Sequence, residues 1–253
     1  MYSLHEIINI IEGNEVVQKV KAITDDLLGK DSCGHDFYHS QRVARLAQVL
    51  YLYENNYLLK NEAPCDIEGI LAYFMDETGG IKEELMVNKK ALVNKNQFIY
   101  IALLGYFHDC LDHKLFSEIE QENNKRAFCE HVSREVLLFG NYDSFFDDIQ
   151  HLSYSKNKEK RCKISKVAEY VQDADRLDAL GAIGIARAFA YGGARGQLMY
   201  DEIDEKNSLQ HFHDKLYHLP ELMNTEVAKE VATKKVIFMQ AFENLFKAEW
   251  HVI

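Results

Sequence analysis

Three features of this 253-residue sequence predict an all-α fold. Only two prolines, Pro64 and Pro220, interrupt it, so little opposes long helices. Apolar residues recur at helical spacing: Val16, Val20, Ile23 and Leu27 stand at i, i+4, i+7 and i+11 and form one stripe. No stretch alternates apolar and polar residues as a half-buried strand does.

The first stripe defines the first helix. A second follows GHDFYHSQR, where Val43, Leu46, Ala47 and Leu50 repeat the spacing and Asp36 stands in position to cap the helix start. The run NQFIYIALLGYFHD is apolar on all sides. It predicts a buried central helix with its polar residues at the C-terminal end. Further helices are predicted over 123–139, 143–152, 162–180, 181–191, 207–218 and 224–250. In the last, Val227, Val231, Phe238, Phe242, Leu245 and Phe246 lie mostly on one face. Residues 56–97 differ in texture. Pro64, Gly69 and Gly79-Gly80, with scattered charges, predict short helices and turns inserted within a single domain spanning 1–253.

Composition narrows the function. Apolar residues make up 47% and charged residues 27%, as in a globular chain with a full-sized core. The net charge of −11 disfavours nucleic acid, whose binding draws on many cationic contacts. A small nucleotide remains compatible, because a local cationic pocket or a metal outweighs a distant net charge. The five cysteines form no CxxC pair, the first fifteen residues lack a basic leader region, and the longest apolar stretch, Phe98 to Phe107, is half a membrane span. These features predict a cytoplasmic protein with reduced thiols and no membrane segment.

His108-Asp109 follows the apolar run directly. An imidazole and a carboxylate at the end of a buried helix need compensation. A divalent ion is one such partner, and this donor pair suits Mn, Fe, Co, Ni or Zn, with Mg where carboxylate and water dominate. A capped helix end with a hydrogen-bonded histidine is the simpler alternative. Two other pairs show how common the dipeptide is. His35-Asp36 precedes a helix that Asp36 would cap, and His213-Asp214 lies in SLQHFHDKLYH, which reads as a solvated helix face. Neither is expected to supply primary metal ligands.

The wider order is more specific. His39 opens one helix, His108-Asp109 closes a second, and DADRLD (173–178) lies on a third. This series resembles the HD superfamily of metal-dependent phosphohydrolases. The likeness is closest at VQDADRLDALGAIGIARAFAYGGARG (171–196). It extends in order through GHDFYHSQRVARLA, YFHDCLDHK, LSYSKN and LPELMNTEVAKEVA. The stretches are similar to single-domain bacterial members, some of which split nucleoside triphosphates into monophosphate and pyrophosphate. The resemblance therefore implies a helical bundle around one divalent ion, with Mn the leading candidate and Mg, Fe, Co or Ni as alternatives.

Residue by residue, the family's metal ligands match His39, His108, Asp109 and Asp175, with Asp173 the alternative to Asp175 and Asp178 a supporting or surface acid. Asp112 follows in the family's HD-x-x-acid arrangement. If the helix persists it shares a face with Asp109, and with Lys114 it is a candidate catalytic residue. Arg42, Lys156, Arg176, Arg187 and Arg195 fall at positions suited to phosphate. His113, His131 and His151 do not match the binuclear pattern, which leaves one metal. The 69-residue separation of His39 and His108 departs from the family, and residues 56–97 account for it. The implied partner is a nucleotide, with a homodimer compatible. The alternatives are a nucleoside monophosphate phosphatase and a non-catalytic nucleotide- or metal-binding regulator.

Overall fold

The structure, a computed structural model, describes residues 8–9, 11–29, 34–55, 95–137, 141–152, 163–204 and 206–251. Lys156 and all but the last three residues of the insertion lie outside the described residues.

Among the described residues the regular elements are helical, joined by one isolated bridge between Leu198 and Asn207. Helix α1 (Glu15–Leu28) starts where the Asn14 side chain accepts from the Val16 N–H at 3.0 Å. Helix α2 (Phe37–Glu54) starts at Asp36, whose carboxylate accepts from the His39 N–H at 2.7 Å. Helix α3 (Lys95–Phe107) runs through the core, buried from Phe98 to Phe107, and tightens into a 3₁₀ turn at His108–Leu111. Then come α4 (Glu118–His131), α5 (Tyr142–Leu152), α6 (Lys166–Asp178) and α7 (Gly181–Ala194). The short α8 (Gln210–Asp214) leads into a 3₁₀ turn (Leu216–Leu222), and α9 (Glu226–Trp250) ends the order.

Capping explains where the observed boundaries differ from those predicted. The helix expected over 123–139 begins at Glu118, because Ser117 and Glu120 form a reciprocal capping box. It ends at His131, and a separate turn occupies Arg134–Val136. The helix expected over 207–218 divides into α8 and the turn that contains Pro220. None of the described helices is long and apolar enough to cross a membrane.

Helices α2, α3 and α6 form the centre of the packing. The closeness of α2 and α3 depends on Gly105: a Cβ there would lie 2.4 Å from the Ala44 Cα. Around them the buried apolar side chains form one cluster. In it Phe128 joins α4 to its neighbours, with ring centroids 4.8 Å from Phe107 and 4.5 Å from Phe145.

Three buried carboxylates lock the frame. Glu12 accepts from Arg45 (3.0 Å), Lys21 (2.8 Å) and the Tyr106 hydroxyl (2.6 Å), tying the chain before α1 to α1, α2 and α3. Asp148 on α5 accepts from the Ser165 N–H and hydroxyl and from Tyr100, which fixes the start of α6. Asp173 accepts from the backbone and side chains of Asn224 and Thr225, joining α6 to the start of α9. Asp173 is thereby spent on structure, and two positions further on α6 carries Asp175.

Candidate metal centre and pocket

The close approach at Gly105 brings the start of α2 against the end of α3. There His39 Nε2 and His108 Nε2 lie 3.3 Å apart. Asp109 reaches both, with Oδ2 3.5 Å from His39 Nε2 and Oδ1 3.3 Å from His108 Nε2. Asp175 Oδ1 lies 3.4 Å from His39 Nε2 and 3.9 Å from His108 Nε2. Two imidazoles and two carboxylates from three elements are thus brought together around His39. One donor atom each from His39, His108 and Asp175 falls within a 4.8 Å span.

The other ring nitrogens decide what faces that cluster. His108 Nδ1 lies 2.8 Å from the Gly105 carbonyl oxygen. A carbonyl only accepts, so Nδ1 carries the proton and Nε2 presents a lone pair. His39 Nδ1 lies 2.7 Å from Asp178 Oδ2 and donates to it. This is the arrangement in which a carboxylate orients a metal-ligating histidine.

Electrostatics agree. Burial alone would lower His39, but hydrogen bonds with Asp175 and Asp178 outweigh it and raise its pKa to about 9. Burial would raise Asp109, yet His108 and His35 hold it well below the ordinary carboxylate range. Asp175 is likewise opposed by burial and brought down to about 2 by His39 and His108. A site that favours positive charge so strongly, with soft nitrogen and hard oxygen donors together, fits a divalent transition ion.

His39 is fully buried, whereas the Asp175 side chain is 32% exposed and opens onto a pocket of about 630 Å³. Asp109, Asp175 and His108 share its lining with Lys114, Arg176 and Lys215. That volume suits a nucleotide-sized ligand.

No family model matches the chain. Individual proteins do. The uncharacterized protein YpgQ of Bacillus subtilis (strain 168) is 30% identical over 230 residues, covering 89% of each chain. A Bacillus thuringiensis structure described as an HD-superfamily hydrolase is 30% identical, with a TM-score of 0.55 over 94% of this chain and 97% of that one. This chain belongs to the HD superfamily of hydrolases. A Lactobacillus plantarum structure superposes with a TM-score of 0.66 at 26% identity, covering 94% and 98% of the two chains. YpgQ in complex with ADP superposes with a TM-score of 0.62 at 24% identity, covering 93% and 98%.

Within this HD-superfamily site the remaining residues fall into place unevenly. Asp112 and Lys114 both line the pocket, but helical continuation does not put them there. The 3₁₀ turn stops at Leu111, and Asp112 is extended, its Oδ1 accepting from the Lys114 N–H at 2.8 Å. Arg42 does not point its guanidinium at the pocket. It grips Asp178 with two bonds, Nε to Oδ1 at 2.7 Å and Nη2 to Oδ2 at 3.0 Å. Arg187 lines the pocket and also donates to Asp178 at 2.9 Å. Arg176, buried, donates to the Leu222 carbonyl while contributing to the lining, and Arg195 stacks 3.9 Å over the Tyr191 ring.

His211 and Lys215 escaped the sequence reading, and His35, which was not expected to supply a primary metal ligand, stands at the site. His35 Nδ1 lies 2.9 Å from Asp109 Oδ2, and its nitrogen could join His39 and Asp109 as a metal donor. Its sequence signal was the dipeptide His35-Asp36, which the capping role of Asp36 explained without using the histidine. His211 and Lys215 line the pocket from the segment read as a solvated face. His213, from the same segment, is exposed and pairs with Glu243 at 2.7 Å.

Proposed function

We propose that the protein is a metal-dependent phosphohydrolase acting on nucleotides, one HD domain over 1–253, which splits nucleoside triphosphates into monophosphate and pyrophosphate. The observation that carries this reading is the clustering of His108, Asp109 and Asp175 around His39 beside a cation-rich, nucleotide-sized pocket. YpgQ's complex with ADP supports a nucleotide as ligand. Manganese is the ion favoured by the family resemblance, and two histidines beside two carboxylates admit Fe, Co or Ni as well while suiting Mg less.

Bound at these four side chains, a divalent ion supplies Lewis acidity to a phosphoryl oxygen and a nucleophile from water at neutral pH. The chain's own residues do the rest. Asp178 and the Gly105 carbonyl hold His39 and His108 in the tautomers that present Nε2. Asp112, fixed by the Lys114 N–H, orients the attacking water or the leaving oxygen. Lys114, Arg176, Arg187 and Arg195 spread the charge that builds on the phosphoryl oxygens. Lys156 is assigned the same role from its sequence position.

The deciding experiment incubates the protein with Mn, Mg, Co or Ni and a panel of nucleoside tri- and monophosphates, identifying products by phosphorus NMR. Pyrophosphate from a triphosphate is the expected result. Inorganic phosphate from a monophosphate would establish the phosphomonoesterase reading instead, and no turnover with any ion would leave a binding protein.

A further inference from the structure

Lys215 stands between α8 and the following turn, and three observations single it out. It lines the same cavity as Asp109 and Asp175. Its ammonium lies within electrostatic reach of Asp175, Lys114, Arg187 and Arg176. Its backbone is braced on both sides. The Lys215 N–H donates to the His211 carbonyl and its carbonyl accepts from the His218 N–H, both at 3.2 Å. Neighbouring His213 and Tyr217 are both anchored on Glu243 of α9, while Phe212 and Leu216 are buried. A flexible surface lysine has none of this support.

The surrounding charge indicates what such a lysine is for. The pocket lining carries five fixed cations, Lys114, Arg176, Arg187, Arg195 and Lys215, against the three carboxylates Asp109, Asp112 and Asp175. Arg187 shares its charge with Asp178, and Arg176 lies 3.9 Å from Asp173, but a divalent ion on Asp109 and Asp175 would add two positive charges, so the lining suits a multiply charged anion. Crowding of like charges costs energy that a multiply charged anion relieves. Burial and the three cationic neighbours lower the Lys215 pKa against the opposing pull of Asp175.

We infer that Lys215 is a specificity-determining residue: placed beside the metal centre among Lys114, Arg176 and Arg187, it binds the phosphates beyond the first and selects polyphosphate over monophosphate nucleotides. This rests on the proposed function and deepens it.

The test uses the Mn-loaded protein and two probes, α,β-methylene-ATP and AMP, titrated by calorimetry into wild type, Lys215→Met and Lys215→Arg. Metal content and far-UV circular dichroism are measured on each. Lys215→Met is expected to weaken the triphosphate analogue about tenfold or more and AMP by less than about threefold, with metal content unchanged. Lys215→Arg, which keeps the charge, is expected to recover most of the loss. Should Lys215→Met fail to fold, Lys215→Gln takes its place. Equal weakening of both nucleotides, or of neither, overturns the inference and leaves the proposed function standing. A wild type that binds neither probe overturns both.

Discussion

Asp178 receives three side chains: His39 Nδ1 at 2.7 Å, Arg42 Nε at 2.7 Å and Arg187 Nη1 at 2.9 Å. Burial opposes its charge, but these partners hold its pKa far below the usual carboxylate range. It therefore fixes His39 from behind, and Arg42 compensates its charge so that Arg187 can also serve the pocket. Asp178→Asn keeps the shape and loses the charge. It is expected to weaken Mn binding about 10- to 100-fold, read by electron paramagnetic resonance titration, with helical content preserved. Unchanged Mn affinity would show that Asp178 is only structural. At this scale the sequence singled out His39, His108, Asp109 and Asp175 through their order and context, and the fold brings these side chains together. It did not reveal the partners. Whether Arg42 faces a phosphate or Asp178 depends on a rotamer set by packing 136 residues apart, and no local pattern encodes that.

At the level of elements, the site exists because α2 and α3 touch at Gly105. Gly105→Ala would place a Cβ 2.4 Å from the Ala44 backbone. It is expected to destabilise the fold by about 1–3 kcal/mol and to reduce metal affinity, because His39 and His108 separate with the helices. Thermal melts and Mn titration report the two effects separately.

The clasp at Glu12 gives a pH signature. Burial opposes its charge, yet Arg45, Lys21 and Tyr106 lower its pKa from 4.5 to about 2. A folded-state pKa below the unfolded value stabilises above pH 4.5, and that stability is lost as pH falls from about 4.5 towards 2. Glu12→Gln is expected to cost about 2 kcal/mol near neutrality, with the difference in Tm from wild type shrinking as pH falls through that window. A constant difference would contradict the clasp. Helix identities were legible because apolar spacing and proline scarcity speak directly to them. The boundaries were less so: the Ser117–Glu120 capping box lies outside the apolar pattern, and the break between α8 and the next turn carries no glycine to announce it.

For the molecule as a whole, a net charge of −11 surrounds a pocket with a surplus of cations. An anionic substrate must approach against the average field and be captured by the local one. Raising ionic strength screens the exposed Lys114 and Arg195 first. KM for a nucleoside triphosphate is expected to rise with salt while kcat changes little, as steady-state kinetics from about 50 to 500 mM salt would show. A salt-independent KM would argue against a polyanion as ligand. The resemblance to HD hydrolases was readable in five ordered motifs, but the cationic pocket was not. Lys215 joins it only because the segment after α7 returns over the metal centre, a tertiary event that the polar string SLQHFHDKLYH does not disclose.

Metal content by plasma mass spectrometry, on wild type, His108→Ala and Asp109→Ala after dialysis against Mn, tests the central claim most directly. One ion per chain in the wild type is expected, with less than about a tenth of that in either variant and circular dichroism still helical. Stoichiometric metal retained by both variants would contradict the assignment of His39, His108, Asp109 and Asp175 as the metal centre.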